Sequence, residues 1–535
     1  MKRFLWLGFV LCVYLICTGC GETFRPIIIP NPPTFPNPAA AHTVVAINDN
    51  GTVVSGSAMA IDVSGDTDVS QANVGLAPVH AVQQTASQVL VVNHSVTGAL
   101  ADSITKLNFS STTINSAITI SLPANSAPNF VAVAPTDTLA YVTLPDYVPP
   151  SVGVVNTATN SVIWTIPVGP TPNALAVTPD KGRLYVVNQG NGTLSAFNTA
   201  DRSARPITGT LTSAPIWLSP RSDSQAVYVL ESDGTLAWLD TSSTAGPDIL
   251  TVTSSPLIQV AGATTMTYDP NLIRLYIAGG QQMAIVDVSQ SAPQPLATIP
   301  IPPIALGPPN STVPANATAV AALPDGTRAY VTSYAAVTSQ LNISAVSGDG
   351  TTATYAYTLT SGHDMTPGVS ITVTGTDSSQ VTGFDGTFIV SAVVSGTAAC
   401  PGTCFQAPNS TVLAATPVSG SGTGNNIFPQ VTVVWATSNT IKTTIGIPPF
   451  PDATIQGSQY YVEACANARF RFMMAAGGDS SRAYLSSCDG GNVNIIDTTS
   501  DNYIENLPAP ASARAPIPPS SQNPPQNPVF LIAGP

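Results

Sequence analysis

The sequence predicts an all-β fold: a β-propeller of four-stranded blades interrupted by one small inserted β-module. Three observations carry that expectation. Charged residues make up only 8% of the chain, against about 25% in an ordinary soluble domain, which disfavours long charged helices. Gly 40 and Pro 49 supply breaks throughout the 535 residues, and short apolar stretches alternate with small or polar residues between Gly, Asn, Asp and Ser turns, the signature of strands and hairpins. Finally, one two-strand phrase recurs at nearly constant spacing.

The chain opens with Lys2 and Arg3, followed by an apolar run from Phe4 to Cys17. That run is shorter than the roughly 20 residues a spanning helix needs, so residues 1–19 read as a secretory signal. Cys17-Thr18-Gly19-Cys20 resembles the lipobox of bacterial lipoproteins, although Cys17 stands where Leu, Val or Ile is usual. The resemblance implies acylation of Cys20 and a membrane contact through the N-terminal lipid. Residues 20–41 then carry Pro26, Pro30, Pro32, Pro33, Pro36 and Pro38, a composition that favours an extended tether reaching on the order of 60 Å. The expected location is the bacterial cell envelope, at the outer membrane or cell surface.

The repeat begins near residue 42. An apolar strand ends in Pro, and an aromatic-centred strand follows. Pro135, Pro179, Pro220, Pro270 and Pro324 precede Tyr141, Tyr185, Tyr228, Tyr276 and Tyr330. A third strand then ends in Asn or Asp, as at Asn156, Asn198, Asp240, Asp287 and Asp497, and a fourth often follows, as in 162–169. Four strands in about 45 residues, repeated, is propeller arithmetic. The Leu184-Tyr185-Val186-Val187-Asn188 and Ala329-Tyr330-Val331-Thr332-Ser333 strands resemble the YVTN-repeat β-propellers of bacteria and archaea, over most of residues 77–335 and 430–510. The resemblance implies the fold and no particular function.

Complete units start near Val79, Phe130, Ala174, Ile216, Thr264, Thr318 and Phe470, with an incomplete one at 42–62 whose missing inner strand is expected from 528–534. That count gives eight blades, with seven as the alternative. The propeller therefore occupies 42–336 and 429–535. Residues 337–428 break the period and form the inserted module, whose Gly383-Phe384-Asp385-Gly386-Thr387 turn is similar to that of small β-modules in secreted and phage-associated proteins. The Gly/Ser/Thr/Asn run 419–426 reads as a flexible exit linker.

Cys400, Cys404, Cys465 and Cys488 remain beyond the lipobox, an even number that suggests two disulfides, with Cys400–Cys404 and Cys465–Cys488 as the proximal pairing. His42, His80, His94 and His363 show no metal spacing, and Asp146, Asp233, Asp325 and Asp489 read as turn devices. His80 opens an inner strand and reads as a partly buried or turn histidine, with a place at the central channel as the alternative. No residue is assigned a catalytic, cofactor-binding or metal role, and no cofactor is expected. A net charge of −13 with 16 Lys+Arg argues against nucleic acid. Two function classes follow: a non-catalytic scaffold binding an envelope or extracellular protein or glycan, and an enzyme of lactonase or quinoprotein-dehydrogenase-like type. The insert leaves a second-to-third-strand loop, so it is expected beside the face where propellers bind ligands.

Overall fold

The computed structural model describes residues 42–94, 102–134, 137–253, 257–290, 292–306, 312–397, 400–518 and 520–534. The expected signal segment, Cys20 and the expected tether lie outside these residues.

The fold is a β-propeller. Its inner strands are Asn527–Ala533, Pro78–Thr85, Val131–Val133, Pro172–Val177, Pro215–Pro220, Met266–Asp269, Asn316–Ala322 and Phe472–Ala476. Each neighbours the next in that order, and Phe472–Ala476 returns to Asn527–Ala533, so the circuit closes. Seven of these strands belong to separate small sheets, the alternative count. At the remaining position, Asn316–Ala322, Arg328–Asp349, Val412–Trp435 and Thr440–Gly446 pair in blade order inside a ten-stranded sheet, which gives the ring of inner strands eight members.

Closure works as the sequence suggests. Asn527–Ala533 pairs antiparallel with Thr43–Asp49, which pairs with Ser57–Asp62 and then Thr67–Asn73. Joining both termini in one sheet leaves no inner edge exposed. Two of the small sheets depart from four strands: Pro172 to Asn198 supplies three, and Ile207–Thr208 beyond them pairs in parallel with Asp248–Val252, giving the following sheet five.

The recurring tyrosines are core residues: Tyr185, Tyr228, Tyr276, Tyr330 and Tyr484 are all at least 99% buried. Several also clasp sheet to sheet. Tyr185 Oη donates to Asp248 Oδ2 at 2.6 Å, and Arg183, two residues earlier, meets Asp248 Oδ1 at 3.1 Å. Tyr330 Oη and Arg328 both meet Asp501 in the same way. Tyr484 Oη reaches Asp66 Oδ1 at 3.0 Å and Arg482 Nε reaches Asp66 Oδ2 at 2.7 Å. Arg274 finds Ala436 O and Asn439 Oδ1 at the corresponding place. Asp66, Asn439 and Asp501 have φ of 52°, 55° and 53° in the turn before their sheet's fourth strand, a left-handed position that Asp and Asn tolerate well.

The insert grows out of a blade without a break. Arg328–Asp349 and Val412–Trp435 stay paired from Arg328↔Trp435 to Asp349↔Val412. The expected linker at 419–426 is therefore strand, a correction with a steric reason. Ser370–Thr374 lies against it (Val373↔Gly422), and a Cβ at Gly420, Gly422 or Gly424 would meet Thr376, Ile371 or the Ser370 carbonyl at 2.5, 3.2 or 2.3 Å. Glycine here permits close strand packing rather than mobility. In the Gly-Phe-Asp-Gly-Thr turn, Asp377 accepts from the Gly383 and Phe384 amides while Asp385 accepts from those of Gly375 and Thr376, and Phe384 is fully buried.

Candidate functional site at the channel mouth

The N-terminal ends of the inner strands surround the channel. Five of them deliver an aromatic ring: His80, Phe130, Trp217, Phe470 and Phe530. These close into a circuit, with centroids 3.7 Å apart for His80–Phe130, 5.3 Å for Phe130–Trp217, 5.8 Å for Trp217–Phe470, 5.3 Å for Phe470–Phe530 and 4.6 Å for Phe530–His80. Offset and edge contacts of this kind add to the burial of each ring. His80 is buried and the Val131 amide donates to its Nδ1 at 3.4 Å. Burial, and secondarily the charge of Arg469, hold its imidazole well below the usual histidine range.

Arg469 sits on this plug. Its guanidinium carbon is 5.3 Å from the centroids of Phe130, Trp217 and Phe470. Nη1 donates to Asn173 Oδ1 at 2.5 Å and Nη2 to Ile216 O at 3.0 Å. Burial pushes its pKa down to about 10, so it remains charged at neutral pH. No described carboxylate forms an ion pair with it.

The residue is held in place by the loop that carries it. Residues 452–470, including the short helix Glu463–Ala466, cross the mouth between Phe450–Pro451 and Phe472–Ala476. The Cys465–Cys488 disulfide anchors the helix to the sheet beneath. Arg471 binds Asp489 through Nε at 2.7 Å and Nη2 at 2.6 Å, and its Nη2 also meets Asp452 Oδ1 at 2.6 Å. Asp489 is thus a buried ion-pair partner as well as a turn residue, and its Oδ1 also accepts the Ala453 amide.

Above the plug opens a cavity of about 750 Å³. Arg469, Arg514, Asp49, Glu463 and His94 line it, with the amides of Asn129, Asn173, Asn467 and Asn527. Arg514 Nη2 donates to Pro525 O at 2.8 Å and Asn527 Oδ1 at 3.0 Å. Burial raises the Asp49 carboxyl above its usual range. His94 Nδ1 lies 3.7 Å from Asp102 Oδ1. Below the plug is a second, apolar cavity of about 360 Å³, walled by Trp217, Met266, Met473 and Leu531 among others. Beside the mouth, Ile389 of the insert shares a cavity of about 200 Å³ with Tyr460 and Arg514, so the insert stands on the mouth side as expected.

Both disulfides form as paired in the sequence reading, Cys400–Cys404 and Cys465–Cys488. His80 is a buried member of the aromatic plug, packed on Phe130 and Phe530. His363 instead stacks on Phe428 at 3.9 Å within the insert, and His42 is exposed at the start of the first strand. Asp233 and Asp325 accept the amides two residues on, as turn residues do. Among the described residues no three His, Cys, Asp or Glu side chains converge as a metal site would require. The sequence reading missed Arg469, Arg514 and Asp49. Only the Arg469-Phe470-Arg471-Phe472 run, after a stretch without basic residues, hinted at the first.

No family model and no curated protein matches the sequence. Solved structures match it at low identity. A structure titled apo AztD from Citrobacter koseri is 7% identical, covers 92% of this chain and 97% of its own, and gives a TM-score of 0.47. A functionally unknown protein from Desulfotomaculum acetoxidans DSM 771 is 13% identical over 54% and 88%, with a TM-score of 0.42. Kuenenia stuttgartiensis hydrazine synthase is 15% identical over 49% and 76%, with a TM-score of 0.37. At these values the likenesses carry no functional argument. The chain is a β-propeller, and the YVTN resemblance remains a likeness of strand sequences.

Proposed function

We propose that the protein is an exported, lipid-anchored binding scaffold whose ligand, an envelope or extracellular component, seats in the channel mouth. The observation that carries this reading is the 750 Å³ cavity, concave and walled by amides and guanidinia, on a loop fixed by a disulfide and the Arg471–Asp452–Asp489 cluster. Pockets of roughly 300–1,000 Å³ with a few converging polar groups are the usual form of small-ligand sites. Fixing the loop in advance removes an ordering cost from binding. Lys2, Arg3, the apolar run and the Cys17–Cys20 segment support export and anchoring.

Two measurements test it. Cys20→Ser should release the protein from the membrane fraction, and retention there would refute anchoring. Ala468→Trp would fill the mouth from its lining, so binding to isolated envelope material should fall while the melting transition stays in place. Unchanged binding would move the site elsewhere.

A further inference from the structure

Among the described residues, Arg469 and Arg514 face the mouth with no carboxylate in ion-pair contact, although the charge of Asp49 acts on Arg514 from the same cavity. An arginine carries five N–H donors in a planar fork. At Arg469, Asn173 and Ile216 take one bond from each terminal nitrogen and leave the rest of the fork unbonded, while three aromatic groups crowd the guanidinium. Arg469 is only partly buried, so its remaining N–H groups face the cavity, where an anion can take them in place of water. Arg514 likewise commits a single nitrogen, to Pro525 O and Asn527 Oδ1.

We propose, resting on the binding reading above, that the mouth recognises a small ligand through its carboxylate, with Arg469 and Arg514 as the recognition pair and the Asn129 and Asn467 amides contacting its uncharged part. A carboxylate matches the guanidinium fork in shape. A monoanion also fits the balance of the site better than a phosphate dianion, because Asp49 and Glu463 line the same cavity and repel additional negative charge. The volume suits a sugar acid or a short peptide. Both present the same group, and the experiment separates them.

The test is calorimetric titration of the full-length protein with glucuronate and with the dipeptide Ala-Ala, each against its methyl ester, and with inorganic phosphate. Saturable binding of either acid, weakened about tenfold or more in its ester, is the expected result, since a charge-assisted hydrogen bond is worth that much. Which acid binds identifies the source of the carboxylate. Arg469→Gln should weaken that acid by a similar factor. Because Arg469 also packs on the plug, Arg514→Gln serves as a second variant and should raise Kd about tenfold while the melting temperature falls by only about 1–3 °C, the cost of its bonds to Pro525 O and Asn527 Oδ1. Equal binding of acid and ester would overturn the carboxylate while leaving the mouth as a binding site. Phosphate binding more tightly than both acids, or no saturable binding of either acid, would overturn the proposal; the Ala468→Trp experiment judges the binding reading separately.

Discussion

Asp66→Ala should loosen the ring at its closure. Asp66 belongs to the sheet that joins the two termini, while Arg482 and Tyr484 belong to the sheet before it. The substitution removes the acceptor of both Tyr484 Oη and Arg482 Nε. A hydrogen bond to a charged group contributes about 1.5–3 kcal/mol, and the partial exposure of Arg482, 24%, brings the ion-pair share toward the lower end. Tyr484 is fully buried, so its hydroxyl then loses its partner without gaining water. Alanine also suits φ 52° poorly, at about 1 kcal/mol or more. The total is about 3–4 kcal/mol. With an unfolding entropy of roughly 2.1 cal/mol/K per residue over some 490 residues, one kcal/mol moves Tm by only about 1 °C if the ring melts as a unit. A drop of about 3–4 °C by scanning calorimetry is therefore expected. Asp66→Asn, which keeps an acceptor and tolerates the turn, should lose about half as much. A double-mutant cycle of Asp66→Ala with Tyr484→Phe should show coupling of about 1 kcal/mol. Additive effects, or a drop below 1 °C for Asp66→Ala, would refute the clasp as a stabilising element.

Further expectations follow from the same structure. Because His80 is held neutral by burial, the unfolded chain takes up a proton below about pH 6.5 that the folded chain does not, so stability falls with pH there by up to about 1.4 kcal/mol per unit. His80→Phe keeps the aromatic contact and should flatten that slope; an unchanged slope would place the titration elsewhere. Replacing Cys465 and Cys488 by Ser should destabilise the protein by about 3 kcal/mol, given their sequence separation of 23, and free the mouth loop for proteolysis in the 452–470 segment, which limited digestion would show. The insert should be removable between the paired residues Ser339 and Gly424: replacing 340–423 by Asn-Gly, a turn suited to two-residue hairpins, should leave a folded propeller, and loss of the cooperative transition would show that the two share one core.

The fold was legible because its signals are local and repeated. Tyr185, Tyr228, Tyr276 and Tyr330 mark the same strand in successive sheets, and a strand buried on both faces needs a large side chain there every time. The C-terminal strand was legible by elimination, since a first sheet without an inner strand leaves an edge that something must cover. The 419–426 run was misread because glycine's meaning depends on what approaches it, and Ser370–Thr374 comes from 50 residues upstream. The mouth was hidden for the same reason. Phe130, Trp217, Phe470 and Phe530 look like any core aromatics in sequence, and only ring closure makes them neighbours. Arg-x-Tyr was visible at 183, 274, 328 and 482, but its acceptors lie on other sheets, up to 418 residues away in sequence.

The distribution of cations sharpens the case for the mouth. Arg183, Arg205, Arg328, Lys442, Arg471 and Arg482 each meet a carboxylate that is at least three-quarters buried, and Arg274 serves the equivalent clasp through a carbonyl and an amide. These pairs join sheets or fix the mouth loop, so a structural reason accounts for each. Among the described residues Arg469 and Arg514 make no ion-pair contact with a carboxylate, as Lys106 also does not, but these two line one cavity together, with Asp49 acting on Arg514 across it. Packing alone explains little of this, because a methionine or leucine would cover Phe130, Trp217 and Phe470 without the desolvation penalty of a guanidinium. Arg469→Met separates the two roles. If the guanidinium serves only structure, losing its bonds to Asn173 Oδ1 and Ile216 O should lower the melting temperature while acid binding is unchanged. If the charge serves a ligand, stability should hold or rise while acid binding is lost, the trade expected where a site retains unsatisfied charge for function.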